Sequence, residues 1–195
     1  AAAPVHFTRA RTGQNILLKL EAWRYYLRAR LALMLRQRRR AIENYRFALR
    51  FDPGFLRAVH GLAFLLAQEG DTTQARVQLQ ALVQRQPNNR HAWFNLGFVH
   101  DQLQQPREAI AAFAEAVRID PKLDRAWYGM GLCHQRLGEH DAAARAFEEA
   151  ARLQPMNPHA WYELGMTYHA LARADDVKRV VEHLNRFDRK MTRQL

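Results

Sequence analysis

Apolar residues recur at steps of three and four through most of the chain, and short polar segments interrupt them at regular intervals. Such spacing places apolar side chains along one face of a helix, so the pattern predicts a series of amphipathic helices. The interruptions repeat as well, because prolines stand at equal intervals at Pro53, Pro87, Pro121 and Pro155. Since proline cannot continue a helix, each of these prolines marks a helix end. The pattern therefore predicts an all-α chain built from one repeated helical unit.

Other residue types keep the interval of the prolines and set the register of the units. The tryptophans of this series are Trp93, Trp127 and Trp161, and small residues recur at Ala29, Ala63, Gly97, Gly131 and Gly165 and at Ala41, Ala75, Ala109 and Ala143. Small residues let two helices approach closely, so each unit is predicted to be a helix pair. Five units fit without a gap, at residues 22–55, 56–89, 90–123, 124–157 and 158–191. We predict one repeat domain over 22–191, a partly helical arm over 1–21 and a tail over 192–195.

Two units carry the fullest set of repeated positions. The third has Trp93, Leu96, Gly97, His100, Ala109, Phe113 and Pro121, and the fourth has Trp127, Met130, Gly131, His134, Ala143, Phe147 and Pro155. This order resembles the tetratricopeptide repeat family, whose 34-residue motif reads W-x2-L-G-x2-Y, then A-x3-F, then P on a helix–turn–helix. The resemblance covers all five units, which is 170 of the 195 residues. It implies an all-α fold, namely a right-handed α-solenoid of helix–turn–helix units that fold as a stack.

The N-terminal region departs from this motif. Tyr25, Arg28 and Ala32 stand where the motif has Trp, Leu and Tyr. The apolar run over residues 14–35 predicts either one long helix, starting at Thr12 or Gly13, or a short arm helix followed by the first repeat helix. Further along, Gly70 and Gly138 fall at turns between helices, where glycine adopts a positive φ at little cost.

The resemblance also implies where a partner would bind. In a superhelix of helix pairs the first helices line the concave side, and positions two, five, nine and twelve of each unit share one helical face. The residues expected to line this groove are Tyr26, Arg57, His60, His91, Phe94, Asn95, Phe98, Arg125, Tyr128, His159 and Tyr162. Because aromatic and arginine side chains often anchor interfaces, we predict an adaptor or assembly scaffold that holds an acidic and apolar peptide or helix of a partner protein. The alternative, that local packing buries these aromatic side chains, stays open.

Some family members clamp the C-terminal carboxylate of a partner with five Lys, Asn and Arg side chains. Asn95 and Arg125 match two of those positions, whereas His60, Phe64 and Gly129 stand at the other three. The usual clamp is therefore not predicted here.

The basic charge is concentrated at one end of the chain. The net charge is +11, and residues 1–55 alone hold 12 basic and 3 acidic side chains, a net of +9. The residues that crowd the predicted first helix and turn are Arg24, Arg28, Arg36, Arg38, Arg39 and Arg40. They give an alternative function, in which this region docks on an anionic surface (an acidic protein, nucleic acid or membrane lipid) and the repeats display it. A solvated cap is the simpler interpretation, although Arg28 occupies a packing position, which suggests a cover other than water.

The sequence carries no recognisable catalytic constellation, so we expect neither an enzyme nor a cofactor. His100 and His134 occupy equivalent places in adjacent units, on the order of 10 Å apart, too far to ligate one metal ion, and no metal site is expected. Cys133 is the single cysteine and is interpreted as a small core residue. The longest uncharged stretch runs from Ala58 to Gln68, eleven residues, against the roughly 17–25 apolar residues of a membrane-spanning helix.

The two ends of the chain leave further alternatives open. The last predicted helix carries Val177, Val180, Val181, Leu184 and Phe187. Its apolar side either packs entirely on the preceding helix or is covered by another molecule, so self-association through the end repeats is a possible partner mode. The chain opens with Ala1-Ala2-Ala3-Pro4, which suggests processed or trimmed ends, and no visible segment looks like a targeting signal. A cytoplasmic location is favoured, and a signal or anchor upstream stays open.

Overall fold

The computed structural model describes residues 6–186, and side chains are described over 15–186 apart from residue 67. Within this range the chain forms ten α-helices and no strand. The helices are α1 (His6–Met34), α2 (Arg38–Phe51), α3 (Leu56–Gln68), α4 (Thr72–Arg85), α5 (Arg90–Gln102), α6 (Pro106–Ile119), α7 (Asp124–Arg136), α8 (His140–Leu153), α9 (Pro158–Ala170) and α10 (Ala174–Asn185). The predicted all-α class is confirmed.

A left-handed residue lies in each short turn between the first and second helix of a pair. The φ angles there are 56° at Arg36, 84° at Gly70, 58° at Gln104, 73° at Gly138 and 55° at Ala172. These positions recur at the interval of the prolines, so the same turn is built five times within the described residues. The positive φ predicted at Gly70 and Gly138 is confirmed. The other three turns place a residue with a Cβ where glycine is favoured.

The repeated proline and tryptophan residues act together at the loop that follows each second helix. The indole Nε1 of Trp93 donates a hydrogen bond of 2.8 Å to the Pro87 carbonyl, and Trp127 donates one of 3.0 Å to the Pro121 carbonyl. Trp161 repeats the arrangement with the Pro155 carbonyl at 2.9 Å. The proline ends one helix and the tryptophan that follows binds its carbonyl, which explains why the two residue types share one period.

The helices group into two compact units, and the boundary lies between Gln84 and Arg85. We call the unit up to Gln84, which holds α1 to α4 without the last residue of α4, the N-terminal unit, and the unit from Arg85, which holds α5 to α10, the C-terminal unit. Each is described by itself.

In the N-terminal unit α1 is one continuous helix that packs on α2. It is helical from His6, the first described residue, so the predicted start at Thr12 or Gly13 is wrong, and of the two alternatives the single long helix is the one observed. Tyr25, which replaces the tryptophan of the motif, stacks on Phe47 and Phe51 with ring centroids 5.2 and 5.5 Å apart. The predicted tail over 192–195 lies outside the described residues.

In the C-terminal unit the repeated phenylalanines fill space that glycines provide. A Cβ added to Gly97 of α5 would lie 2.6 Å from the Phe113 ring, and one added to Gly129 of α7 would lie 2.7 Å from the other side of the same ring. Phe113 of α6 is therefore held between two helices that approach closely. At the far end of the unit Val180 and Leu184 of α10 are fully buried, so this helix packs its apolar face on its neighbours. Phe187 lies outside the described residues.

Candidate functional site

Polar contacts join the first helices of the C-terminal unit. Between α5 and α7 the Cys133 thiol donates to Asp101 Oδ1 at 3.3 Å. Between α7 and α9 the Gln135 amide donates to Glu163 Oε2 and to Thr167 Oγ1, both at 3.2 Å. The three first helices are thus linked by side-chain hydrogen bonds at corresponding positions along their axes. We call the surface that α5, α7 and α9 present through positions two, five and nine of each unit the first-helix wall.

The aromatic side chains at position five belong partly to the core. The Phe94 ring lies 5.7 Å from the ring of Phe113, and the Tyr128 ring lies 5.7 Å from that of Phe147. Phe94, Tyr128 and Tyr162 are all half-buried. Burial and the nearby charge of a glutamate raise the pKa of the Tyr128 hydroxyl, so it stays protonated and able to donate. One side of these rings therefore packs inward and the remainder is accessible, and their role in binding stays a prediction.

Position nine supplies the more exposed apolar side chains. Phe98 is 38% exposed and Met166 is 39% exposed, whereas Leu132 between them is half-buried. The sequence predicts an apolar stripe at this position, because three successive units carry a large apolar residue there although it shares a helical face with polar ones. Whether this stripe binds a partner stays a prediction.

Position two lies in the first turn of each helix and supplies exposed polar side chains. The second residues of α5, α7 and α9 are His91, Arg125 and His159, and all three are exposed. Partial burial, reinforced by the neighbouring Arg90 charge, lowers the pKa of His91, although Asp120 opposes the shift. The lowered pKa favours the neutral His91 ring near pH 7, so this side chain offers hydrogen bonding more than positive charge. Arg125 provides the fixed positive charge of the wall, and half-buried Asn95 lies beside Phe94 on α5.

The remaining predicted groove residues lie in the N-terminal unit. The Tyr26 ring packs on Tyr45 and Phe55, with centroids 5.9 and 5.2 Å away. The Arg57 guanidinium lies over the Trp23 ring at 5.2 Å, and His60 is half-buried. Tyr26 and Arg57 thus contact residues of their own unit. The role of all three residues in binding stays a prediction.

The predicted basic cluster is exposed throughout. Arg24 pairs with Glu21 at 2.9 Å, and the Arg28 guanidinium lies over the Tyr25 ring at 5.4 Å. Arg28 is exposed, so the expectation that it occupies a packing position is wrong. Arg36 lies in the short turn between α1 and α2. Arg38, Arg39 and Arg40 lie in the first turn of α2.

The histidines at the tyrosine position of the motif stabilise turns. His100 Nδ1 lies 2.8 Å from Gln105 Oε1, and His134 Nδ1 lies 2.7 Å from Glu139 Oε2. Each pair joins the end of a first helix to the residue before the second helix.

Within the described residues no group of three or more His, Cys, Asp or Glu side chains could hold a metal ion. No helix of the described chain has the length and apolar character needed to cross a bilayer. Burial raises the pKa of the Cys133 thiol to about 11, which leaves it protonated and unreactive at neutral pH.

The recurring helix pairs, turns and loop bonds define an all-helical repeat protein. Two tetratricopeptide repeat family models match the chain, one over residues 60–124 and the other over residues 124–157. The chain belongs to the tetratricopeptide repeat family. A human relative, tetratricopeptide repeat protein 7A, is 31% identical over 94 residues, which is 48% of this chain and 11% of the human protein.

Solved structures show the same fold. The TPR protein YrrB, described as having an unusual peptide-binding site, is 20% identical, has a TM-score of 0.69, and is matched over 99% of this chain and 98% of its own. Residues 41 to the end of MamA from Desulfovibrio magneticus RS-1 are 22% identical with a TM-score of 0.71, over 85% of this chain and 92% of that one. The α-solenoid class is thereby confirmed.

Proposed function

We propose that the chain is a protein-binding scaffold whose first-helix wall holds a segment of a partner protein. Membership in the tetratricopeptide repeat family supports protein–protein interaction in general. YrrB, a protein of the same fold, carries a peptide-binding site. The observation that carries the proposal for this chain is the pair of exposed apolar side chains, Phe98 and Met166, at equivalent positions of α5 and α9.

An apolar line at these positions suits a partner that inserts apolar side chains. Phe98, Leu132 and Met166 stand at the same place in three successive first helices, with the accessible edges of the position-five aromatics one turn earlier. Large apolar and aromatic side chains in such a setting supply most of the binding energy of an interface. The polar contacts between α5, α7 and α9 hold these side chains in register. Less conformational entropy is therefore lost when a partner binds.

The polar groups of the wall select the character of the segment. Arg125 provides a permanent positive charge. The Tyr128 hydroxyl stays protonated because its pKa is raised, and it can donate a hydrogen bond. Both groups favour carboxylates on the partner, so an acidic and apolar segment is the expected ligand.

The segment is expected to be internal to the partner chain and not its terminus. The last position of the carboxylate clamp is Gly129, and its missing side chain makes room for the Phe113 ring, since a Cβ there would lie 2.7 Å from that ring. An arginine at this place is incompatible with the packing of α6 on α7. This packing argues against the full clamp and in favour of a segment without a terminal carboxylate.

A selection from a displayed random-peptide library tests the proposal. Selected peptides should be rich in acidic and apolar residues, and changing both Phe98→Ala and Met166→Ala should weaken their binding by about tenfold or more. The matched control changes two exposed apolar residues outside the wall, Val77→Ala and Met156→Ala, which are 56% and 69% exposed. Equal affinity of wild type and the Phe98/Met166 variant would rule out the wall as the binding surface. Phe94 and Tyr128 are unsuitable for this test because their rings also support the core.

A further inference from the structure

The N-terminal helix α1 is apolar on two opposite sides. One side packs on the protein and contains Ala22 and Ala29, both fully buried. Since successive residues of a helix turn by about 100°, Leu20, Leu27 and Leu31 lie on the opposite side. Their exposed fractions are 60%, 60% and 56%. We call the exposed row formed by Ile16, Leu20, Leu27, Leu31 and Met34 the outer stripe of α1.

A helix that is apolar all round is normally covered on all sides. The outer stripe extends over five turns of α1 and has an 81% exposed methionine, Met34, at its C-terminal end. Monomeric soluble proteins seldom expose an apolar patch as long as this row, and such a patch marks an interaction site. The identity of what covers it follows from the charges around it.

Basic side chains border the outer stripe on both sides. With the same rotation of about 100° per residue, Arg24 and Arg28 lie along one edge of the outer stripe, and Lys19 and Arg30 lie along the other edge. All four side chains are exposed. Over residues 15–40 the basic side chains number eight and Glu21 is the one acidic side chain, a net of +7. Four of the eight are Arg36, Arg38, Arg39 and Arg40, which follow the stripe directly. This charge pattern complements an extended anionic surface and opposes a second copy of α1, because identical basic edges would face each other.

We propose that the outer stripe of α1 docks on an anionic lipid membrane. The helix would lie in the plane of the interface, with the leucines at the boundary between headgroups and acyl chains. The flanking basic groups would reach the lipid phosphates on aliphatic stems that can lie along the apolar surface. A helix that presents one long apolar row between basic edges suits the planar interface of an anionic membrane. Trp23, 40% exposed at the edge of the stripe, is of the residue type enriched at membrane interfaces.

Vesicle flotation with the full chain tests this proposal. The probes are phosphatidylcholine vesicles and vesicles in which about a third of the lipid is phosphatidylserine. Wild type should float with the anionic vesicles and not with the neutral ones, and added salt should reduce the bound fraction steeply. Changing Leu27→Gln and Leu31→Gln together should lower the partition coefficient by about tenfold or more. The matched control, Val77→Gln with Met156→Gln, should leave it unchanged.

A second pair of variants separates local charge from total charge. Arg24→Gln with Arg28→Gln should weaken vesicle binding by about fivefold for each arginine removed. Arg107→Gln with Arg145→Gln removes the same net charge from exposed positions of the C-terminal unit and should have little effect. Circular dichroism and the thermal midpoint of each variant verify that the fold is retained.

Several results would overturn the membrane proposal. The first is failure of wild type to float with anionic vesicles at low salt. The second is equal flotation of wild type and the Leu27/Leu31 variant, which would reduce the region to a purely electrostatic patch. The third is a concentration-dependent dimer in sedimentation that Leu27→Gln and Leu31→Gln abolish while vesicles remain unbound, which would assign the stripe to a second copy of the chain.

Discussion

Single glycines set how closely the helices of the C-terminal unit can approach. Phe113 is buried between Gly97 and Gly129, and neither position can accept a Cβ without displacing the ring. The small residue at Gly97 follows from the repeat pattern. The role of Gly129 does not, because it depends on which neighbouring helix meets the ring and not on the unit's own sequence. The same contact explains why the clamp arginine is absent.

Changing Gly129→Ala should destabilise the fold by about 1–3 kcal/mol, because the methyl group meets the Phe113 ring. The higher helix propensity of alanine would stabilise the fold instead. The sign of the change in the free energy of unfolding therefore shows whether the clash dominates. Chemical denaturation measures the free energy of unfolding. In a Phe113→Leu background the same change should be less destabilising, since the smaller side chain leaves room. A stabilising or neutral effect of Gly129→Ala in the wild type would contradict the packing described.

The histidine at the start of α5 gives a pH-dependent prediction. The pKa of His91 is lowered from its ordinary value of 6.5, chiefly by burial, so the folded state prefers the neutral ring. Its contribution to stability is present above the ordinary pKa and is lost as the pH falls through the lowered value. An NMR titration should show the His91 ring titrating below 6.5, and His91→Gln should reduce the loss of stability in acid. A midpoint at or above that ordinary value would contradict this environment.

The helix pair is the element that the sequence predicts most completely. Proline, tryptophan and small residues at one period locate the helix ends, the loops and the close contacts, because each type answers a local backbone or packing requirement. The extension of α1 back to His6 is not predictable in this way, since the residues before Thr12 carry no clear apolar period. Nor is the relative exposure of Phe94 and Phe98, because it depends on the rotation of α5 against its neighbours.

The turns between paired helices differ in strain although their geometry is the same. Ala172 and Gly138 occupy equivalent turns with φ of 55° and 73°. Replacing Ala172→Gly should therefore stabilise the protein by about 0.5–1 kcal/mol, because the left-handed conformation disfavours a Cβ. The reciprocal change, Gly138→Ala, should destabilise it by a similar amount. Thermal or denaturant unfolding checks both, and a destabilising Ala172→Gly would contradict the shared turn geometry.

At the scale of the whole molecule, charge and exposed apolar surface divide between the two units. The N-terminal unit holds 14 basic and 5 acidic side chains, and the C-terminal unit holds 16 and 14. The outer stripe of α1 belongs to the strongly basic unit, and the first-helix wall belongs to the nearly neutral one. The two surfaces thus have different chemistry, which suits different ligands.

This division predicts independent binding. Vesicle binding through α1 should weaken steeply with salt, whereas peptide binding to the wall should change less, because it depends mainly on apolar contact. Leu27→Gln with Leu31→Gln should leave peptide affinity unchanged, and Phe98→Ala with Met166→Ala should leave flotation unchanged. Measuring both activities on both variants checks this, and loss of both activities in either variant would contradict the separation.

The most direct test of the central claim is site-specific photo-crosslinking in the producing cell. A photoreactive phenylalanine analogue replaces Phe98 in one protein and Met166 in another, and Met156 in a control on an exposed loop of the same unit. The account predicts that positions 98 and 166 crosslink to the same acidic and apolar segment of one partner protein and that position 156 does not. Absence of a shared segment at 98 and 166, or an equal yield at 156, would contradict a protein-binding first-helix wall.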